Sequence, residues 1–178
     1  MSVFGAGSAE DVAFVVCTAM HQANVTVVLS GGGAATIYAP KAQQTDDLDL
    51  VLPFMFSSPK LATIYDLGFK ETRSRGIYAH PETTFTIEFL EGPLAVLDEV
   101  ITRWDTHRRG DQILNILSPT DCVRDRLSAT IAWKDLSSAR QAAAVAKNHS
   151  VDMAAIEAWC MREGSPQAFA YFRSFCDR

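Results

Sequence analysis

The sequence predicts a mixed α/β fold, in which a β-sheet core is flanked by helices and followed by a helical C-terminal region. Residues 25–29 form a short, continuous and β-branched apolar run, which is typical of a strand buried on both faces. Residues 47–52 alternate between acidic side chains and leucines, which indicates a strand with one buried face. Beyond Leu117 the pattern becomes helical to the end of the chain. These observations predict an α/β core over 1–117 and a C-terminal helical region over 118–178 that packs on it.

The first 117 residues alternate between helix and strand patterns. Ser8 and Asp11 have capping-box spacing and open a helix expected over 9–23. A short helix over 34–39 follows the glycines, and Ser58-Pro59 is the expected start of another helix. Further strands are expected at 76–79, 84–90 and 112–117.

Later helix starts are indicated by serine and proline. They are expected at Ser118-Pro119, Ser150 and Ser165-Pro166. One dense basic cluster is expected to lie in a loop, where it is either solvated or steers a polynucleotide or a triphosphate; it consists of Arg103, His107, Arg108 and Arg109.

Composition narrows the class of protein. The 178 residues carry 16 Lys and Arg against 21 Asp and Glu, a net charge of -5, so nucleic acid would have to meet a local basic patch. A hydrophobic content of 48% argues against intrinsic disorder. The apolar runs are too short to span a bilayer, the N-terminus lacks a secretory pattern, and the four cysteines have no metal-site spacing. We therefore expect a cytoplasmic protein that does not associate with membranes.

Two acidic residues on one strand face point to metal chemistry. Asp47 and Asp49 are two positions apart, so their carboxylates project from the same face and can grip one hard cation such as Mg²⁺. Glu88, on a later strand, can supply a third carboxylate. The glycines at 31 and 32 allow the backbone to approach a phosphate closely. Each feature alone is commonplace, and their order along the chain is what indicates a shared site.

The run from Val28 to Ala35, followed by the run from Thr45 to Leu50, resembles the signature of the DNA polymerase β nucleotidyltransferase superfamily. Within it, the chain is most similar to small bacterial proteins related to the abortive-infection toxins of toxin–antitoxin systems. The resemblance implies a nucleotide-binding set and a set of magnesium ligands with catalytic roles. The first set is Ser30, Gly31, Gly32 and Thr45; the second is Asp47, Asp49 and Glu88.

The implied activity is transfer of a nucleoside monophosphate from a nucleoside triphosphate (NTP) to an acceptor hydroxyl, on RNA or on a small molecule. Lys134 either reaches the substrate phosphate or is a surface lysine paired with its neighbour Asp135. Glu88 stands where many members of the superfamily have Asp. This departure keeps an alternative open, in which a non-catalytic protein of the same fold regulates a partner, as an antitoxin or with a cognate toxin.

Overall fold

The computed structural model describes residue 4 and residues 7–42 and 44–177, and a seven-stranded mixed sheet forms its centre. The strand order is β3-β4-β5-β2-β1-β9-β8, and a two-stranded hairpin, β6-β7, lies outside the sheet. The predicted fold class is confirmed. The strands are β1 (Val28–Ser30), β2 (Asp47–Val51), β3 (Lys70–Glu71), β4 (Ile77–Ala79), β5 (Thr86–Leu90), β6 (Ala95–Val96), β7 (Glu99–Val100), β8 (Asp105–Arg109) and β9 (Gln112–Ile116).

In the described part of the chain, one helix precedes the strands, two are interspersed with them and four follow them. They are α1 (Ala9–Gln22), α2 (Gly31–Tyr38), α3 (Leu61–Asp66), α4 (Pro119–Trp133), α5 (Leu136–Asn148), α6 (Met153–Arg162) and α7 (Pro166–Cys176). Helix α2 packs against β2 on one side and against α4 and α5 on another, so α2 lies between the acidic strand and the C-terminal helices. The division at residue 117 stays a prediction. Among the helices described, none is long and apolar enough to cross a membrane.

Helix caps explain where α1 and α4 begin. The Ser8 hydroxyl accepts a hydrogen bond from the Asp11 backbone N–H at 3.1 Å, and the Asp11 carboxylate accepts one from the Ser8 backbone N–H at 3.3 Å, which is the predicted capping box. At α4, the Ser118 hydroxyl accepts from the Asp121 N–H at 3.1 Å, and Pro119 fills the first helical position.

Several predicted boundaries were wrong. β1 begins at Val28 rather than at residue 25, and α2 begins at Gly31 rather than at 34, so the glycines form the first turn of the helix. Helix α3 begins at Leu61, after Ser58-Pro59. Helix α6 begins after Asp152, whose carboxylate accepts from the Ala155 N–H at 2.9 Å and takes the capping role expected of Ser150.

Three of the four residues of the basic cluster do not lie in a loop, whereas Arg103 does. His107, Arg108 and Arg109 belong to β8, which pairs antiparallel with β9 through a turn at Gly110, where φ is +57°. A charged edge strand is a common way to prevent sheets from pairing edge to edge, and this explains why the strand has no apolar signature. The Arg109 Nη1 lies 2.7 Å from Asp11 Oδ1, so part of the cluster already has a counter-charge.

The hydrophobic core lies between the sheet and the helices. The central strands contribute fully buried side chains, and the C-terminal helices contribute two large aromatic ones, Trp159 and Phe172. Leu48 and Leu50 point into this core while Asp47 and Asp49 point away from it, as the alternation predicts. The acidic face of β2 is thereby held on a rigid, buried strand.

Candidate functional site

Strand register brings the acidic side chains of β2 beside β5. These strands pair in parallel, with Asp47 opposite Thr86 and Asp49 opposite Glu88. Opposite residues in a sheet project from the same face, so Asp49 and Glu88 are lateral neighbours. The Thr86 hydroxyl donates a hydrogen bond of 2.6 Å to Asp47 Oδ1, which orients that carboxylate. The predicted meeting of two aspartates and a glutamate on one face therefore follows from the pairing of two strands.

These three carboxylates line a cavity of about 390 Å³. Its opposite side is formed by the start of α5 and by α4. The other lining residues are Gly32, Gln44, Thr45, Ile77, Thr86, Arg126, Asp135, Ser137, Ser138 and Gln141. Four carboxylates and one guanidinium thus face one cavity, which gives it a negative charge.

The surroundings of Asp49 in the cavity shift its pKa upward. Burial raises its pKa to about 6, with a further contribution from the negative charge of Glu88. The Arg126 guanidinium opposes this increase in pKa. A second cation placed beside Asp49 would stabilise the ionised carboxylate in the same direction as Arg126 does.

Two glycines permit close approach at the start of α2. Gly31 has φ +66°, a left-handed conformation that suits glycine, and a Cβ there would collide with the Asp49 carboxylate. A Cβ on Gly32 would lie 3.0 Å from Thr45 Cγ2 and 3.6 Å from Arg126 Nη1. The backbone of α2 is therefore in direct contact with the acidic cavity.

The first turn of α5 forms the wall of the cavity opposite the carboxylates of β2 and β5. Asp135 is the N-cap: its carboxylate accepts from the Ser137 N–H at 2.9 Å and from the Ser137 and Ser138 hydroxyls at 2.6 Å each. These hydrogen bonds, chiefly those of the two serine side chains, lower the pKa of Asp135 to about 2. Asp135 is thus ionised at neutral pH and holds both hydroxyls in place.

The structure brings most of the predicted site residues together. Five of them line the cavity: Gly32, Thr45, Asp47, Asp49 and Glu88. Gly31 packs against the Asp49 carboxylate. Ser30 is buried as the N-cap residue of α2, is not part of the cavity lining, and makes no side-chain capping bond. Lys134 is exposed and lines a different groove, next to α7.

Sequence reasoning did not assign Arg126, Ser137, Ser138 and Gln141 to the site. The available signal was the Asp125-Arg126 pair in the first C-terminal helix. In the structure, Arg126 Nη2 lies 2.8 Å from Asp125 Oδ2, with a second hydrogen bond from Nε at 3.1 Å. This pair directs the guanidinium toward the cavity while only 16% of its side chain is exposed.

The donor set suits a hard cation, although the carboxylates are not gathered into a ligand shell. Asp47, Asp49 and Glu88 supply only oxygen donors, which Mg²⁺ prefers. Within residues 4, 7–42 and 44–177, no three His, Cys, Asp or Glu side chains are arranged to hold a metal ion. Binding of a metal ion would therefore need these side chains to rotate, and the ion would have to displace the proton that the raised pKa of Asp49 favours.

Comparison with known proteins identifies the fold. No protein family model matches the chain, and no curated protein does. The chain is similar to an antigenic nucleotidyltransferase-like protein from Paracoccidioides brasiliensis, with a TM-score of 0.60 and 16% identity, over 93% of this chain and 92% of that one. It is also similar to the antibiotic-resistance factor ANT(2'')-Ia, with a TM-score of 0.45 and 12% identity, over 92% and 88% of the two chains. The first similarity shows that this chain has the mixed α/β fold of a nucleotidyltransferase-like protein.

Proposed function

We propose that this protein is a magnesium-dependent nucleotidyltransferase, which moves a nucleoside monophosphate from an NTP to an acceptor hydroxyl. The observation that carries the proposal is the placement of Asp49 beside Glu88 across paired strands, with Asp47 on the same face. Gly32 and Arg126 line the same cavity. Phosphoryl chemistry on an NTP uses carboxylates to hold cations and a helix start to bind phosphate, and Gly32 brings the start of α2 to the cavity.

Asp47, Asp49 and Glu88 are the residues that would hold magnesium. When bound, the ion neutralises negative charge on the phosphates and polarises the α-phosphorus for attack. A bound ion would stabilise the ionised form of Asp49, whose pKa burial and the charge of Glu88 raise to about 6.

The remaining cavity residues bind and position the substrate. The α2 backbone at Gly32 can approach the phosphates closely, and the Arg126 guanidinium offers them a fixed, permanently charged donor. In the reaction the acceptor oxygen forms a bond to the α-phosphorus, and the bond to the pyrophosphate oxygen breaks. The hydroxyl proton passes to a cavity carboxylate or to water. Transfer of this kind depends mainly on positioning and charge neutralisation.

We further propose that the acceptor is RNA or a small molecule, and that the protein acts in a toxin–antitoxin pair. The motif resemblance supports both statements. Labelling with NTPs that carry a radioactive α-phosphate separates the two acceptors, since the label appears either in the RNA fraction or in the small-molecule fraction.

The test of activity is magnesium-dependent release of pyrophosphate, measured with each NTP and a mixed acceptor pool. The expected result is activity in wild type and its loss in Asp47→Asn and Asp49→Asn. Asp46→Asn is the matched control, because Asp46 is an exposed neighbour of Asp47 that does not line the cavity. Equal activity in all four proteins would overturn the proposal.

A second candidate function is a non-catalytic regulator of a protein partner. It is favoured by the absence, in the described part of the chain, of three side chains already arranged around a metal position. Under this alternative, a partner recovered with the wild type would bind Asp47→Asn equally well, and no labelled product would form.

A further inference from the structure

A second cavity, of about 530 Å³, lies between the α4–α5 junction and the start of α7. We call it the α7 groove. Most of its surface is apolar, with Ile131 and Leu136 on one side and Ala168 and Tyr171 on the other. Four polar side chains complete the lining: Thr130, Lys134, Ser165 and Gln167. A cavity of this size with apolar walls and few polar groups is the usual form of a small-molecule site.

The charge of the α7 groove is opposite to that of the acidic cavity. Lys134 contributes a cation, and the described residues that line the groove include no carboxylate. In the part of the chain that the structure describes, the Lys134 ammonium makes no ion pair or hydrogen bond, so it is available to a ligand. An apolar groove with one unpaired cation suits a ligand that combines a ring system with a negative charge.

The backbone at Lys134 is also unusual. Lys134 ends α4 with φ +54°, a left-handed conformation that glycine and asparagine adopt more readily than lysine. This conformation sets the direction in which the side chain leaves the helix, at the rim of the groove.

One short segment separates the α7 groove from the acidic cavity. Lys134 and Leu136 line the groove, whereas Asp135, Ser137 and Ser138 line the acidic cavity. A molecule seated in the groove would therefore lie against the wall of the proposed nucleotide site.

We propose that the α7 groove binds a small molecule that combines a planar apolar ring system with an anionic group, and that the anionic group pairs with Lys134. This proposal is independent of the proposed function, because ligand binding in the groove can be measured without a nucleotide. It also gives Lys134 a role other than contact with the NTP phosphates.

Two dyes test the groove directly. 8-Anilino-1-naphthalenesulfonate has an aromatic body and a negative charge, and N-phenyl-1-naphthylamine has a similar body without the charge. Fluorescence titration of the folded wild type should show saturable binding of both dyes at one site. Lys134→Asn, which suits a left-handed conformation, should weaken the sulfonate about tenfold, since a charge-assisted contact is lost. It should leave the affinity for the neutral dye unchanged.

Leu136→Glu provides the steric and electrostatic test. Leu136 is 50% exposed at the first position of α5, where an acidic residue is compatible with the helix. The variant should fold, lose the sulfonate and weaken the neutral dye. Phe56→Ser is the control: Phe56 is 99% exposed in a different apolar patch, so both dyes should bind this variant as they bind wild type.

The proposal is overturned if Leu136→Glu binds the sulfonate as wild type does, or if Phe56→Ser abolishes binding. It is also overturned if the sulfonate displaces an NTP, because the two sites are separate in the structure. The expected result is that the sulfonate and the NTP bind together. If no NTP binds at all, the proposed function fails, and the dye titrations still decide whether the groove is a binding site.

Discussion

Replacing Asp49 by Asn should stabilise the folded protein at neutral pH. The Asp49 pKa rises from 3.8 to about 6 on folding, because the carboxylate is buried and faces Glu88. The folded state therefore binds the proton more tightly than the unfolded state does. Between pH 4 and 6 the unfolded chain loses this proton first, so stability falls as pH rises through this window.

The magnitude follows from the pKa. A difference of about two in pKa corresponds to about 3 kcal/mol, and partial solvent access reduces the expected gain to about 2 kcal/mol. For a chain of this size, that gain in free energy raises the midpoint of thermal unfolding by about 4–8 °C. The full difference should be present above pH 6 and should be mostly lost near pH 4, where residue 49 is uncharged in both folded proteins.

The assay is urea denaturation of Asp49→Asn and wild type at pH 4 and pH 7.5, with a chelator present. Asp47→Asn is the control, since Asp47 is exposed and its replacement should change stability by no more than about 0.5 kcal/mol. If Asp49→Asn is less stable than wild type at pH 7.5, or if its gain in the free energy of unfolding is the same at both pH values, folding does not raise the pKa of Asp49.

Three further variants test other parts of the structure. Leu50→Ala should cost about 2–5 kcal/mol in urea denaturation, because Leu50 is fully buried on the central strand β2; a smaller loss would mean that this strand is not in the core. Ser118→Ala should cost about 1 kcal/mol by the same assay, since the hydroxyl caps α4 at 3.1 Å, and an unchanged midpoint would argue against the cap. Arg126→Gln should weaken binding of Mg²⁺-NTP about tenfold in calorimetry, because a charged phosphate donor is lost; equal affinity would exclude Arg126 from the nucleotide site.

The sequence was informative wherever local periodicity matched the tertiary environment. The alternation over 47–52 predicted the two faces of β2, because a strand buried on one face needs that pattern. It also placed Asp47 and Asp49 on one face, and strand pairing then put Glu88 next to Asp49. The basic segment of β8 could not be recognised in this way, since an exposed edge strand has no apolar face to reveal it.

The rest of the site depends on how the C-terminal helices pack. Arg126 and Ser138 are 38 or more residues beyond Glu88 in the chain, and nothing local in their helices indicates which side faces β2. The left-handed residue at the end of α4 decides that α5 turns back and presents its first turn to the acidic cavity. Glycine usually occupies such a position, and its absence here meant that the sequence indicated neither this turn nor the neighbouring α7 groove.

The most direct test of the central claim is calorimetric titration with a non-hydrolysable NTP, with and without Mg²⁺. We expect binding of one nucleotide per chain in the presence of Mg²⁺, and its loss in Asp47→Asn, in Asp49→Asn and in the presence of a chelator. Asp46→Asn should bind as wild type does. Absence of binding at millimolar nucleotide, or binding that neither magnesium nor these aspartates affect, would contradict the proposed function.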